Sequence, residues 1–355
     1  MPSFDIKNFK ERLHVINAFD GNLRHGASTF HAITNRTGEG RPSSGGMTRE
    51  HAKVALDTGK DRYQRIDGLW EAIERCPICR SKKNETFLSR FGLDIYRCTD
   101  CTHRYLNPRV KYDEAMRLYA DDKTASDIYS QPLQIEIDEI KYQYGIELID
   151  QLNPPARNKI MDIGCGAGGF LKVADMNGWE QCVGVDVNER YASIYKETKG
   201  VQYISANFES LDPEKLGGDY DCIAMWSVLE HLYDLHAIIA VMKKMLKKDG
   251  LFFILVPNVE SLATKLMREK SPTFNWKHLA HFSPVSLKQL MKMHDFKCEH
   301  FETVITEIDN IKSYMSGEHP YYGYGDPAGL FDFITPEYIH KNHLGSRMIG
   351  IFRNA

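Results

Sequence analysis

The chain lacks any apolar run long enough to cross a bilayer; stretches such as Leu251 to Pro257 have the length of a buried strand. Charge of one sign is missing too. Its 45 Lys and Arg stand against 48 Asp and Glu, a formal net charge of -3 over 355 residues. That leaves no global basic footprint of the kind that dominates binding to nucleic-acid phosphates. The N-terminus carries acids and has no apolar core segment, which argues against a secretory signal. These absences point to a cytoplasmic protein with a small-molecule partner, and disfavour membrane and nucleic acid. What is present is ample: 42% hydrophobic residues can build a real core, and the length suits two or three domains.

The eight cysteines fall into two groups. Cys76, Cys79, Cys98 and Cys101 form two C-x-x-C pairs separated by 18 residues, a zinc-ribbon spacing. Four sulfur ligands close a zinc shell, so such an ion stabilises folding and leaves no open position for chemistry. Residues 76–111 hold eight Lys and Arg against three Asp and Glu, an excess that offsets an anionic zinc centre. Cys165, Cys182, Cys222 and Cys298 lie in or beside expected strands and read as small hydrophobes.

Residues 160–169 are an apolar strand breaking into a glycine-rich turn, and a second apolar strand ends at Asp186. Glycines let the backbone turn sharply and approach a ligand, and an acid at the end of the next strand suits ribose hydroxyls. Gly164, Gly166 and Gly169 fit the dinucleotide pattern G-x-G-x-x-G, so spacing alone admits NAD. Asp162 opposes it, because a carboxylate there would repel a pyrophosphate and attract a cationic amino-acid end beside a sulfonium. That describes S-adenosylmethionine.

Four segments in order, Asp162-Ile-Gly-Cys-Gly-Ala-Gly, Gly184-Val-Asp-Val, Tyr220-Asp-Cys-Ile-Ala-Met-Trp-Ser-Val-Leu-Glu-His and Asp249-Gly-Leu-Phe-Phe-Ile-Leu-Val-Pro-Asn, resemble the motif series of class I S-adenosylmethionine-dependent methyltransferases. The resemblance spans most of residues 134–304. It implies an α/β fold: a Rossmann-like, mostly parallel sheet whose last strand is antiparallel, here preceded by a small zinc-ribbon module. The cysteine module with Asn107-Pro-Arg is similar to the zinc-binding segment of small-molecule methyltransferases, including sugar-nucleotide enzymes.

The expected organisation is an N-terminal extension over 1–75, the zinc ribbon over 76–111, and a methyltransferase domain over 112–355 with insertions at 258–282 and 305–345. Within the extension, short helices are expected at 49–56 and 69–74, and Gly38 to Gly46 reads as a mobile loop. Apolar residues at helical spacing predict a helix over 133–152, ended by Pro154-Pro155. Beyond it, strands at 159–163, 182–187, 201–205, 220–227 and 251–257 alternate with helices at 168–177, 189–199 and 235–248. A helix at 283–294 and strands near 296–304 and 346–353 complete the pattern.

By resemblance, Asp162, Gly164, Gly166 and Gly168 lie beside the methionine portion of the cofactor. Asp186 takes the ribose, Asn207 and Phe208 sit at the adenine position, and Trp226 lies at the carboxyl edge of the sheet. Glu230 reads as a structural hydrogen-bonding residue. The candidate bases are His231, His278 and His281, since imidazole titrates near neutrality. The aromatic insertion, with Tyr314, Tyr321, Tyr322, Tyr324, Phe331, Phe333 and Tyr338, reads as a lid over the acceptor or as a homodimer contact. The resulting expectation is methyl transfer to a small-molecule acceptor, a sugar nucleotide or related biosynthetic intermediate first. An RNA methyltransferase gripping its substrate with the basic ribbon, and a cofactor-binding protein without transfer activity, are the alternatives.

Overall fold

A computed structural model of the chain describes residues 55–57, 63–65, 68–90, 92–120, 132–192, 195, 200–210, 216–307 and 334–355. The expected loop at 38–46 and most of the aromatic insertion lie outside them.

The first elements are short strands: β1 (Ala55–Asp57), β2 (Tyr63–Arg65), β3 (Trp70–Glu71), β4 (Asn84–Arg90), β5 (Leu93–Cys98), β6 (Arg104–Leu106) and β7 (Arg109–Val110). Helices α1 (Tyr112–Ala120) and α2 (Pro132–Gln151) follow. The main α/β run is β8 (Lys159–Ile163), α3 (Gly169–Met176), β9 (Gln181–Asp186), β10 (Val201–Ser205), β11 (Tyr220–Trp226), α4 (Leu235–Met245) and β12 (Leu246–Pro257). The chain ends with α5 (Leu262–Met267), β13 (Ala280–His281), α6 (Pro284–Met293), β14 (Phe296–Val304), α7 (Pro336–Lys341) and β15 (Arg347–Asn354).

Seven strands form one sheet in the order β10-β9-β8-β11-β12-β15-β14. Strands β10 to β12 pair parallel across that order, and β15 runs antiparallel to both of its neighbours. The expected mostly parallel sheet with an antiparallel last strand is therefore present. Strands buried on both faces read as continuous apolar runs whose side chains alternate between two cores. Phe252 and Ile254 face one core with Ile239, Met242, Leu287 and Leu290 of α4 and α6. Phe253 and Leu255 face the other with Ile149 of α2 and Phe170 and Leu171 of α3. Fully burying each such side chain stabilises the fold by about 1.5–3 kcal/mol.

Caps fix the helix starts. Asp234 accepts from the backbone N–H groups of His236 and Ala237, both at 3.1 Å, and Ser283 makes a capping box with Ser286 ahead of Pro284. α4 ends at Met245, three residues earlier than expected, because Leu246 already pairs with Tyr220 as β12 begins.

One expected helix is absent, and the described end of another is strand. Residues 69–74 hold β3, which pairs with β7, and the Asn107 side chain brackets Ile73 by accepting from its N–H at 2.9 Å and donating to its carbonyl at 3.1 Å. These long-range hydrogen bonds outweigh a weak local helix propensity. Ala55 and Leu56, the described residues of the segment expected to be helical over 49–56, pair with β2 as part of a strand.

The cysteine module is built into the larger fold. Its sheet has the order β13-β6-β5-β4, so the insertion at 258–282 supplies β13 as an edge strand. Leu279 accepts from the Leu106 N–H at 3.0 Å, and Ile78 accepts from His236 Nε2 at 2.7 Å. Cys76, Ile78, Cys98 and Tyr105 share a core with the sheet. Among the described residues, no helix is long and apolar enough to cross a membrane.

Candidate functional site

The carboxyl ends of β8, β9 and β11 converge on the glycine turn. Gly164, Gly166 and Gly168 have φ of 71°, 50° and 80°, the left-handed region that glycine enters without strain. The three glycines do different work. A Cβ on Gly164 would lie 2.4 Å from Val228, and one on Gly168 would lie 2.6 Å from the Tyr195 hydroxyl, so both permit close packing. A Cβ on Gly166 would meet nothing within 4 Å; it would project into open space where a ligand can approach the backbone.

Asp162, at the end of β8, is 3% exposed, and its Oδ1 has no hydrogen-bond partner among the described residues. Burial, then the neighbouring charge of Asp186, pushes its carboxyl well above the usual carboxylate range. A buried unpartnered carboxylate oxygen is costly unless a donor or cation arrives. Asp186 is held differently. It accepts from the Gly166 N–H and the Asn188 N–H, both at 2.9 Å, and burial raises its pKa while those amides pull it back. The Val187 amide acts on it as well, and a carboxylate with about four lone-pair sites still keeps room for a hydroxyl group. The sequence did not single out Tyr195, whose hydroxyl donates to the Gly166 carbonyl at 3.1 Å and whose ring stacks on Tyr203 at 4.6 Å. Only the fold brings Tyr195 to the turn.

Asn207 donates to the Tyr112 hydroxyl at 2.6 Å and accepts from the Glu209 N–H at 3.1 Å, while Phe208 is half-buried against the core. Trp226 packs beneath α2. Its ring lies 5.0 Å from Tyr142, 5.3 Å from Phe170 and 4.5 Å from Phe253, and Gly145 lets the helix pass directly over it. This is the environment of a packing residue.

The three candidate bases are close together but not equivalent. His231 lies just after β11 and His278 in the insertion before β13, with ring centroids 5.0 Å apart. The Lys277 carbonyl accepts from His231 Nδ1 at 2.8 Å, and the Thr273 carbonyl accepts from His278 Nδ1 at 2.8 Å. A carbonyl cannot donate, so both Nδ1 atoms carry the proton and both Nε2 atoms present lone pairs. Burial holds His231 down to about 4 and His278 well below the usual imidazole value, so both rings are neutral at pH 7. His281 points elsewhere. It is 4% exposed, packs on Phe274, and lies in register with Arg104 of the cysteine module. Burial and Arg104 lower it to about 3.

Glu230 was expected to make a helix-terminal or structural hydrogen bond, and its own backbone N–H acts on the carboxyl. It is 1% exposed, its carboxyl oxygens have no hydrogen-bond partner beyond that amide among the described residues, and burial raises it to about 8. Its nearest basic atom is His231 Nε2, at 3.9 Å. Tyr119 reaches His231 Nδ1 at 3.2 Å. Lys277 lies over the Tyr119 and Trp276 rings, 5.5 and 5.7 Å from their centroids.

The four cysteines of the module gather as their spacing implied. Cys76 and Cys101 sulfurs are 3.5 Å apart and Cys79 and Cys98 sulfurs 3.4 Å, with all four within 4.8 Å of one another. A tetrahedral site with 2.3 Å zinc–sulfur bonds spaces its sulfurs at roughly 3.8 Å, so the cluster fits that ion closely. Each knuckle turns through a residue of positive φ, Arg80 at 61° and Thr102 at 63°. Cys101 is held low, to about 5, by the hydrogen bond from Cys76.

Residues 138–301 match the family model of a methyltransferase domain. These residues are a class I S-adenosylmethionine-dependent methyltransferase domain. The chain is 33% identical over 110 residues to the ubiquinone biosynthesis O-methyltransferase of Bartonella bacilliformis, covering 30% of this chain and 44% of that protein. It is 30% identical over 107 residues to the enzyme of the same name from Pelagibacter ubique, covering 29% and 44%. The matched part of the methyltransferase domain thus spans less than half the length of these curated relatives. Among solved structures, the chain is similar to a 1,6-didemethyltoxoflavin-N1-methyltransferase from Burkholderia thailandensis at 13% identity and a TM-score of 0.45, covering 76% of this chain and 98% of that one.

Proposed function

We propose that the protein transfers a methyl group from S-adenosylmethionine to a small-molecule acceptor. The observation that carries this reading is Asp162, a buried carboxyl with an orphaned oxygen beside an open glycine turn. It suits the cationic amino-acid end of the cofactor, Gly166 gives the close backbone approach, and Asp186 keeps acceptor capacity for the ribose. The cofactor supplies an activated methyl on a sulfonium. The chain's task is then to align an acceptor atom in line with that methyl and to manage its proton.

The acceptor half lies at Glu230, His231 and His278, which come together with two neutral imidazoles 5.0 Å apart by ring centroid. His281 supports that segment from behind, at the seam with the cysteine module. Lys277, Tyr119 and Trp276 border the same region and favour an anionic acceptor with a planar or sugar ring. A sugar nucleotide or related biosynthetic intermediate has that character. The curated relatives, named for ubiquinone biosynthesis, support a hydroxyl as the methylated group. Cys76, Cys79, Cys98 and Cys101 would hold a structural zinc ion that keeps the module folded against this region.

Titration calorimetry and isotope transfer test the proposal together. S-adenosylmethionine should bind the wild type, and Asp186→Ala should weaken binding by at least tenfold. Incubation of metabolite extract with methyl-labelled cofactor should label one small-molecule species. Equal binding by Asp186→Ala refutes the cofactor assignment, and binding without any labelled product refutes the transfer.

A further inference from the structure

We propose that Glu230, His231 and His278 bind a divalent first-row transition-metal ion, leaving open coordination positions for an oxygen of the acceptor. The site is separate from the four cysteines and chemically unlike them. Its role toward the acceptor rests on the methyl-transfer reading; binding of the ion does not.

Three independent features point to it. Both imidazoles donate Nδ1–H to backbone carbonyls, which fixes the tautomer and leaves each Nε2 with its lone pair. That arrangement is the usual support of a metal-ligating histidine. Next, the Glu230 carboxyl is buried with no hydrogen-bond partner beyond its own backbone N–H among the described residues, an arrangement a native fold rarely leaves uncompensated. Finally, one ligand atom from each residue can be chosen so that all lie within 4.8 Å of one another. Bonds of roughly 2.0–2.2 Å place ligand atoms about 3 Å apart, and side-chain rotation can close the difference.

Internal hydrogen bonding does not resolve the cluster. A protonated Glu230 could serve only as a donor to a nearby imidazole, and at 3.9 Å from His231 Nε2 it is too far to do so. The surrounding cations do not resolve it either. Arg347 acts on Glu230 and His278, and Lys277 on His231, only through their fields. Arg347 donates to the Ser346 carbonyl and makes no ion pair with Glu230. An ion reached by three lone-pair donors satisfies all of them at once.

Ligand chemistry narrows the ion. Two imidazoles and one carboxylate suit Zn, Fe(II), Co or Mn and are poor for magnesium or calcium, which prefer all-oxygen shells. Three protein ligands leave positions open, in contrast to the closed four-sulfur centre. An acceptor hydroxyl bound there would become more acidic and would be fixed relative to the methyl donor.

Cobalt(II) is a direct probe. The full-length protein, stripped of metal and reloaded with cobalt, should hold one ion with intense thiolate charge-transfer absorption and a second with only weak visible bands. His278→Gln and Glu230→Gln should each lose the second ion, retain the first, and bind S-adenosylmethionine within about twofold of wild type. Absence of a non-thiolate ion in the wild type overturns the site whatever the variants do. Retention of that ion by both variants overturns it as well. Failure of the wild type to bind S-adenosylmethionine would count against the methyl-transfer reading alone, because the cobalt count does not depend on it.

Discussion

Asp162 sets stability against binding at a single side chain. Its carboxyl is raised by burial and by Asp186, so the folded protein favours the protonated form more than the unfolded chain does. For a raised acid the sign is unfavourable: ionisation costs folding free energy as pH climbs above the ordinary value of 3.8, and the loss grows until the folded pKa is passed. Asn has the same shape without the charge. Asp162→Asn should therefore stabilise the ligand-free protein at pH 7 by about 1 kcal/mol, as read by thermal melts. The same change should weaken S-adenosylmethionine binding by more than tenfold, since the ammonium loses its counter-charge. Wild-type affinity should rise with pH above the ordinary carboxylate range, and the Asn variant should lack that rise. A variant that is less stable and binds as well as wild type would remove Asp162 from the site.

Within the turn between β8 and α3, position decides what a glycine is for. Gly164→Ala sets a methyl 2.4 Å from Val228 at a φ of 71°, so it combines steric overlap with backbone strain. Gly166→Ala meets only the strain, at a φ of 50°. Denaturant unfolding should show Gly164→Ala losing about 2–4 kcal/mol and Gly166→Ala about 1 kcal/mol. Calorimetry should reverse the emphasis, with Gly166→Ala impairing the cofactor more than its stability loss explains. Equal stability losses in the two variants would contradict the packing described for Val228. At this scale the sequence was informative wherever pattern is local. The strands of the sheet and the glycine turn follow from short apolar runs and from residues adjacent in the chain. Glu230 and Tyr119 beside His231, Tyr195 over Gly166, and β13 completing the cysteine module all depend on partners that meet only after folding. The sequence raised Gly166, His231 and Glu230 singly, but not the contacts that bring Tyr119, Tyr195 and β13 to them. The helix expected at 69–74 failed for the same reason, because Asn107 captures Ile73 from 34 residues away.

The whole molecule couples its two halves through that shared packing. Cys76, Cys98 and Tyr105 share one apolar core with Phe252, Ile254 and Leu287, and Leu106 with Leu279 and Trp276 continues the contact in another cluster. Arg104 adds an ion pair with Glu260 at 3.1 Å, and Arg109 donates to the Tyr233 carbonyl at 3.1 Å. A module joined this extensively does not melt by itself, since its unfolding uncovers the core of its neighbour and withdraws the partner of β13. Zinc bound to the four cysteines would then stabilise the entire chain through mass action, because the unfolded chain holds no formed site. Calorimetry should show one main transition in the metal-loaded protein, shifted down by more than about 5 °C on chelation, with the His278 segment and the sheet unfolding together. Cys101→Ser should reproduce the shift and make it insensitive to chelator. Two separate transitions, with the larger unmoved by chelator, would show instead that the cysteine module is an appendage and that His281 and His278 hold their places without it.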